Sequence, residues 1–130
     1  MKTMTTNTPS VLIIDEAGFS RVCSAFIETE GFQSRTHTDV VGDISMLPQG
    51  HYCLIVTSFH HAVAFSAEIK KLSLPTIILA DHLSDSLLNL LEDIGNSYCM
   101  LKPLDYSNFK LLVRQIMNGE KTCLGGYEVV

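Results

Sequence analysis

The sequence contains few basic residues and no concentrated basic segment. Among its 130 residues, nine Lys and Arg stand against fourteen Asp and Glu, which gives a formal net charge of −5. The longest run of basic residues is the pair Lys70-Lys71. Direct contact with nucleic-acid phosphates requires a concentrated basic face. We therefore expect no direct contact between this chain and nucleic acid.

Long apolar runs are also missing. The longest uninterrupted ones have four or five residues, as in residues 11–14, whereas a membrane-spanning helix needs about 20. Residues 1–10 are polar and contain one lysine, so they do not resemble the apolar core of a secretory signal. We expect no membrane segment, a cytoplasmic location, and a flexible lead-in over residues 1–10.

The four cysteines form no metal-binding pattern. Cys23, Cys53, Cys99 and Cys123 are far apart in the sequence, and none has the Cys-x-x-Cys or Cys/His spacing of a zinc site. Most of them stand within apolar segments, where a free cysteine behaves as a small hydrophobic side chain. This pattern is typical of reduced thiols in a cytoplasmic protein.

Short apolar runs alternate with segments of helical periodicity. Unbroken apolar runs are typical of strands covered on both faces, as in parallel sheets, and alternation with helices indicates βαβ crossovers. The sequence therefore predicts one α/β domain over residues 11–118, with a loose tail or a small added strand over residues 119–130. The expected strands are residues 11–14, 32–38, 52–57, 75–80 and 97–101, and the expected helices are residues 19–27, 39–47, 62–72, 84–94 and 105–117.

Chemically useful side chains stand at the ends of the expected strands. Asp15 and Glu16 follow the first strand, and Lys102 follows the last. Ligand sites in open parallel sheets form at the carboxyl ends of the strands. Because carboxylates suit Mg²⁺ and an ammonium suits a phosphoryl oxygen, this edge is a candidate site for a cation and an anion together.

These residues resemble the receiver domains of response regulators. Residues 11–16, Val-Leu-Ile-Ile-Asp-Glu, are similar to the opening strand and acidic pair of that family, and Lys102-Pro103 to its Lys-Pro signature. The 22 residues from Ala80 to Lys102 match the usual spacing between its hydroxyl switch position and its lysine. The resemblance implies a flavodoxin-like (βα)₅ fold, with a five-stranded sheet of order 2-1-3-4-5, and a role in two-component signalling.

The departures from the family pattern fall on its reaction site. Where the family places its phosphoacceptor aspartate, this sequence has Ser58, and the hydroxyl switch position holds Ala80. Cys99 stands where the family has an aromatic switch residue, with Tyr98 displaced by one position. A serine hydroxyl needs an adjacent base to act as a nucleophile, and it brings no negative charge for Mg²⁺. We expect a weakened Mg²⁺ site, and a structural ion pair between Lys102 and the acidic pair.

The resemblance and its departures favour a non-enzymatic, phosphorylation-independent interaction module. Its partner would be another signalling protein: a kinase, a phosphotransfer protein or an output protein. Two alternatives remain open at this point. One is a residual Mg²⁺-dependent phosphoacceptor that uses Ser58 or Asp81, and the other is a flavodoxin-like site for a small ligand or for a metal held by His60 and His61.

An interaction surface is expected around the helix at residues 84–94. Its leucines span an arc wider than a one-sided apolar stripe needs. In receiver domains this helix belongs, with the last strand and helix, to the usual output and dimer surface. We therefore expect Leu87, Leu88 and Leu91 to contact a partner or to form a homodimer.

Overall fold

The computed structural model describes residues 10–15, 17–36 and 52–130. Glu16, His37, His51 and the helix expected over residues 39–47 lie outside the described residues. The strands are β1 (Ser10–Ile14), β2 (Gln33–Thr36), β3 (Tyr52–Ser58), β4 (Thr76–Ala80), β5 (Ser97–Leu101) and β6 (Tyr127–Val129). The helices are α1 (Ala17–Thr29), α2 (Phe59–Ala64), α3 (Ser66–Leu72), α4 (Asp85–Ile94) and α5 (Tyr106–Met117).

The strands form a parallel sheet of order β2-β1-β3-β4-β5-β6. The α/β class and the order of the first five strands are confirmed. The predicted count of five strands is wrong by one, since β6 pairs with β5 from Ser97↔Tyr127 to Cys99↔Val129. Helix α5 provides the crossover that brings β6 parallel to β5, and the backbone N–H of Val130 donates to the carbonyl of Cys99 at 2.8 Å.

Both faces of the sheet are covered, which explains the unbroken apolar runs. Along β1, Val11 and Ile13 pack in a core cluster with residues of α1 and α5. The alternate residues Leu12 and Ile14 pack in a second cluster with residues of α2, α3 and α4. Successive side chains of a strand point to opposite faces of its sheet, so every residue of β1 is buried.

The expected helix over residues 62–72 is two helices in the structure. Phe65 stands between the end of α2 and the start of α3, and its backbone φ of −112° interrupts the helical conformation. The Phe65 side chain is buried in the second core cluster. This break keeps α2 short. Because α2 starts at Phe59, its first turn lies directly beyond the carboxyl end of β3.

Capping residues fix the starts of the last two helices. Ser84 accepts a hydrogen bond from the backbone N–H of Leu87 at 3.1 Å, and Asp105 accepts one from that of Asn108 at 3.2 Å. Such caps satisfy backbone donors that a helix leaves without partners. In the described part of the chain, no helix has both the length and the apolar character needed to cross a membrane.

Candidate functional site

The candidate site lies at the carboxyl ends of the parallel strands. Because Ile14 pairs with Thr57 across β1 and β3, Asp15 and Ser58 follow on adjacent strands at the same edge of the sheet. The side chain of Thr57 holds this edge together by donating to the carbonyl of Ile14 at 2.8 Å. Both Asp15 and Ser58 are buried, at 3% and 8% exposed.

Ser58 forms a hydrogen bond with a histidine on the helix that follows it. Its Oγ lies 2.8 Å from Nδ1 of His61. Helix α2 starts at Phe59, so residue i+3 from Ser58 comes back over the strand end after one helical turn. The Ser58 side chain consequently makes no capping bond to the backbone of α2. A histidine nitrogen at this distance can accept the hydroxyl proton.

Asp15 lies against the same histidine. Its Oδ1 is 3.6 Å from Nδ1 of His61, and its backbone carbonyl accepts a hydrogen bond from the Ser20 hydroxyl at 3.1 Å. A serine–histidine–carboxylate relay requires the serine at one ring nitrogen and the carboxylate at the other. Here Ser58 and Asp15 face one and the same nitrogen, so the three side chains are not arranged as a hydrolytic triad.

Lys102 lies beside an aromatic ring at the same edge of the sheet. Its Nζ lies 5.5 Å from the centroid of the Phe19 ring. Lys102 is exposed, and its backbone N–H donates to the carbonyl of Ala80 at 2.8 Å. The predicted ion pair of Lys102 with Asp15 or Glu16 stays a prediction, because Glu16 lies outside the described residues; the Lys102 ammonium lies over an aromatic face.

A cavity of about 240 Å³ opens beside Ser58. Its apolar wall includes Leu79 and Ala80. The polar residues on its lining are Ser58, His60, His61, Asp81, His82, Ser84 and Lys102. The fold thus gathers three imidazoles and one ammonium around a single cavity, although they come from separate parts of the sequence.

The residues expected at the two switch positions, Ala80 and Cys99, lie on the same face of the sheet. Ala80 presents a methyl group to the cavity, while Cys99 is buried in the cluster covered by α2, α3 and α4. Burial raises the pKa of the Cys99 thiol. Tyr98 points to the opposite face and packs with α1 and α5. Ala80 and Cys99 have no hydroxyl group, and the hydroxyl group of Tyr98 belongs to the opposite face of the sheet.

The hypotheses of a magnesium or transition-metal site depend partly on Glu16, which lies outside the described residues. Within residues 10–15, 17–36 and 52–130, no group of three or more His, Cys, Asp and Glu side chains is arranged to hold a metal ion. The rings of His60 and His61 are 5.4 Å apart and nearly perpendicular. Their arrangement is that of an edge-to-face ring contact.

The predicted partner surface needs correction at two of its three leucines. Leu87 and Leu91 are fully buried in the second core cluster, because the i, i+4 stripe of α4 faces the sheet. Leu88 is only half-buried. The outer edge of β5 is covered as well, since β6 pairs along it. Of the three predicted leucines, Leu88 is the one that remains partly accessible to solvent.

Sequence reasoning missed the partnership between Ser58 and His61. The sequence pattern predicts for His61 only a metal-binding role together with His60. The available signal was the spacing of three residues between Ser58 and His61 at the start of a helix. This spacing predicts a contact between the two side chains only when the helix is known to begin at Phe59.

Comparisons with known proteins establish the fold. The sequence matches no family model and no curated protein. Its structure is similar to that of a response regulator from Thermotoga maritima, with a TM-score of 0.69 and 15% identity over 85% of this chain and 98% of the other. A two-component response regulator from Clostridium difficile gives a TM-score of 0.68 and 19% identity over 85% and 96% of the two chains. A CheY-like receiver domain from Methanospirillum hungatei JF-1 gives 0.68 and 11% over 87% and 96%.

Proposed function

We propose that this chain is a receiver-like module of two-component signalling that contacts its partner without being phosphorylated on an aspartate. The fold supports the signalling role, because the solved structures that share it are response regulators and a receiver domain. The partner would be a kinase, a phosphotransfer protein or an output protein. The chain would act by binding it, without catalysing a reaction of its own.

One observation carries the phosphorylation-independent part of the proposal. At the end of β3 the structure places the Ser58 hydroxyl, engaged at 2.8 Å with Nδ1 of His61. A neutral hydroxyl supplies neither the ionised nucleophile nor the negative charge with which a carboxylate takes up a phosphoryl group beside Mg²⁺. Ala80 also offers no hydroxyl to a phosphoryl oxygen.

The partner would contact the side of the domain formed by α4 and β6. Leu88 is half-buried there, and Tyr127, Val129 and Val130 are exposed at 38%, 42% and 45%. Aromatic side chains such as that of Tyr127 are enriched in protein interfaces. The alternative to such a partner is a second copy of this chain, which would form a homodimer through the same surface.

A second candidate function follows from the same hydrogen bond. With His61 as base, the Ser58 oxygen would attack the phosphorus of an acyl phosphate, the bond from phosphorus to the acyl oxygen would break, and the hydroxyl proton would pass to Nδ1 of His61. The 2.8 Å separation of Oγ and Nδ1 is within reach for that proton transfer. The products would be phosphoserine and a free carboxylate.

Labelling with acetyl phosphate and Mg²⁺ separates the two candidates. The leading proposal expects an unchanged intact mass, and the second expects an increase of about 80 Da, the mass of one phosphoryl group. The Ser58→Ala variant serves as the matched control. A near-stoichiometric increase that is lost in Ser58→Ala would overturn the phosphorylation-independent reading, and an increase retained in that variant would direct attention to another acceptor such as Asp81.

A further inference from the structure

We propose that Cys123 is a site of reversible oxidation, at which a hydroperoxide converts the thiol to a sulfenic acid and the Tyr98 hydroxyl holds the added oxygen. Cys123 lies in the turn between α5 and β6 and is half-buried. The modification itself is independent of the proposed signalling role. Only its consequence, control of partner contact through β6, rests on that role.

The Cys123 side chain is fixed at the amino end of β5, away from the cavity beside Ser58. Its thiol donates to the carbonyl of Ser97 at 3.2 Å, and its backbone N–H donates to Oδ1 of Asn96 at 3.4 Å. Cys123 packs against the core cluster to which Tyr98 belongs. The sulfur therefore has a defined position beside β5, while part of the residue remains accessible to solvent.

Tyr98 provides a second, independent feature of this site. Its side chain is fully buried, and in the described part of the chain its hydroxyl has no hydrogen-bond partner. Burial raises the pKa of this hydroxyl, and the nearby Cys123 thiol raises it further, so the group keeps its proton and can donate. A thiol sulfur is only a weak acceptor for such a donor. Tyr98 thus directs a buried donor towards a sulfur atom that satisfies it poorly.

Oxidation of Cys123 would supply a better acceptor. With hydrogen peroxide, the sulfur attacks one oxygen, the S–O bond forms, the O–O bond breaks, and the thiol proton leaves with the second oxygen as water. The sulfur loses two electrons and the peroxide gains them. The product is a sulfenic acid, which is a reversible state of cysteine. Its oxygen would accept a hydrogen bond from the Tyr98 hydroxyl, which stabilises the oxidised form relative to the thiol.

The position of Cys123 connects this oxidation to the strand that follows. The backbone N–H of Gly126 donates to the carbonyl of Cys123 at 2.9 Å, and β6 begins at the next residue. Oxidation replaces the S–H donor that contacts the Ser97 carbonyl on β5. It would therefore alter the link between β5 and β6 beside the exposed side chains of Tyr127 and Val129, which belong to the proposed partner surface.

Dimedone, which reacts selectively with sulfenic acids, tests the proposal on the full chain. The reduced protein is treated with a small excess of hydrogen peroxide at near-neutral pH, catalase removes the peroxide, and dimedone is added after increasing delays. Peptide mass mapping gives the adduct at each cysteine. We expect the adduct to persist longer at Cys123 than at Cys53, although Cys53 is the more exposed thiol. Absence of adduct at Cys123, or equal persistence at Cys53, would refute the proposal.

A pair of variants assigns the role of the tyrosine. Tyr98→Phe removes the hydroxyl alone and should shorten the lifetime of the Cys123 sulfenic acid by about threefold or more, the effect of losing one hydrogen bond. Tyr127→Phe is the matched control, because Tyr127 is an exposed tyrosine of the adjoining strand. Equal shortening in the two variants would contradict a specific hydrogen bond from Tyr98.

Thermal unfolding provides a readout that a purely structural role of Tyr98 would not reproduce. In the reduced state, Tyr98→Phe should keep the unfolding midpoint of the parent, because the lost hydroxyl had no partner. After peroxide treatment, its midpoint should fall below that of the treated parent. A lower midpoint already in the reduced variant would overturn the proposal.

The comparison of Cys123 with Cys53 needs no substitution, so it still tests the proposal if Tyr98→Phe fails to fold. None of these measurements depends on labelling with acetyl phosphate. Failure of this inference and failure of the proposed function are therefore distinguishable.

Discussion

Nδ1 of His61 lies 2.8 Å from the hydroxyl oxygen of Ser58, so the residue at the end of β3 is tied to the first turn of the helix that follows it. Asp15 lies against the same nitrogen at 3.6 Å. The imidazole therefore links the ends of two neighbouring strands through one ring atom. This link stands at the position where the resemblance to receiver domains implies an aspartate.

Removing the imidazole should destabilise the fold measurably. We expect His61→Ala to lower the free energy of unfolding by about 1 kcal/mol, because the largely buried Ser58 hydroxyl loses its hydrogen-bond partner. Urea unfolding followed by circular dichroism measures this difference. His60→Ala is the control, since His60 is exposed and should change stability by less than about 0.5 kcal/mol. Equal effects of the two variants would contradict a stabilising Ser58–His61 bond.

The cysteines should differ in reactivity towards thiol reagents. Cys53 is exposed, whereas Cys23 and Cys99 are buried. Burial, together with the nearby charge of Asp15, raises the pKa of the Cys23 thiol from 9.0 to about 12. Because the thiolate is the reactive species, iodoacetamide at pH 8 should label Cys53 first and Cys23 only after unfolding. Peptide mass mapping with and without urea gives the comparison, and early labelling of Cys23 would refute its burial.

Alkaline pH should weaken the fold. The Cys23 thiol ionises near 9.0 in the unfolded chain but near 12 in the folded one, so its contribution is fully present below pH 9 and is lost as the pH rises towards 12. Between pH 8 and pH 10.5 this single group should remove about 2 kcal/mol from the free energy of unfolding. Urea titrations at both pH values measure the loss.

The variant Cys23→Ala isolates that contribution from other alkaline effects. It will start from a lower stability at pH 8, because a small cavity is left in the core. Between pH 8 and pH 10.5 its free energy of unfolding should fall by less than that of the parent. Most of the difference of about 2 kcal/mol should be absent from the variant. An identical loss in both proteins would show that Cys23 is not the group responsible.

Leucines on α4 should separate into core and surface classes. Leu91 is fully buried and Leu88 is half-buried, so Leu91→Ala should cost about 3 kcal/mol and Leu88→Ala about 1 kcal/mol. Chemical denaturation gives both values. Similar costs for the two alanine variants would contradict the assigned orientation of α4.

Light scattering of Leu88→Glu tests whether this side of the domain forms a homodimer. A lower mass than that of the parent would support the contact.

Strand β6 should protect the edge of β5. Deleting residues 127–130 would expose the backbone groups with which β5 pairs to Tyr127–Val129, and exposed strand edges pair with other chains. We expect a lower midpoint of thermal unfolding and a mass that rises with protein concentration in light scattering. The double variant Tyr127→Ser/Val129→Ser keeps the backbone pairing and serves as the control. Association in the control as strong as in the deletion would assign the effect to side chains instead.

Periodicity alone was sufficient for most of the architecture. Residues 11–14 could be recognised as a doubly covered strand because every side chain there is apolar, and the structure places them in two core clusters. The helix starts at residues 84 and 105 could be predicted for the same reason, because helix capping depends on the chemistry of a few neighbouring residues. Local order of this kind is encoded in neighbouring residues, so no contact between distant residues needs to be known.

Tertiary structure alone decided the contents of the site. The segment of β6 is short and follows a glycine pair, so its sequence pattern is compatible with both a loose tail and an added strand. The structure shows a strand, because β5 provides its hydrogen-bond partners. Lys102 and Asp15 stand at strand ends that the sequence predicted to meet, but the contacts of Lys102 with Phe19 and of His61 with Asp15 could not be predicted. The sequence by itself determined which strand ends would meet. Which side chains touch there depends on helix start points and rotamers, which only the packed fold selects.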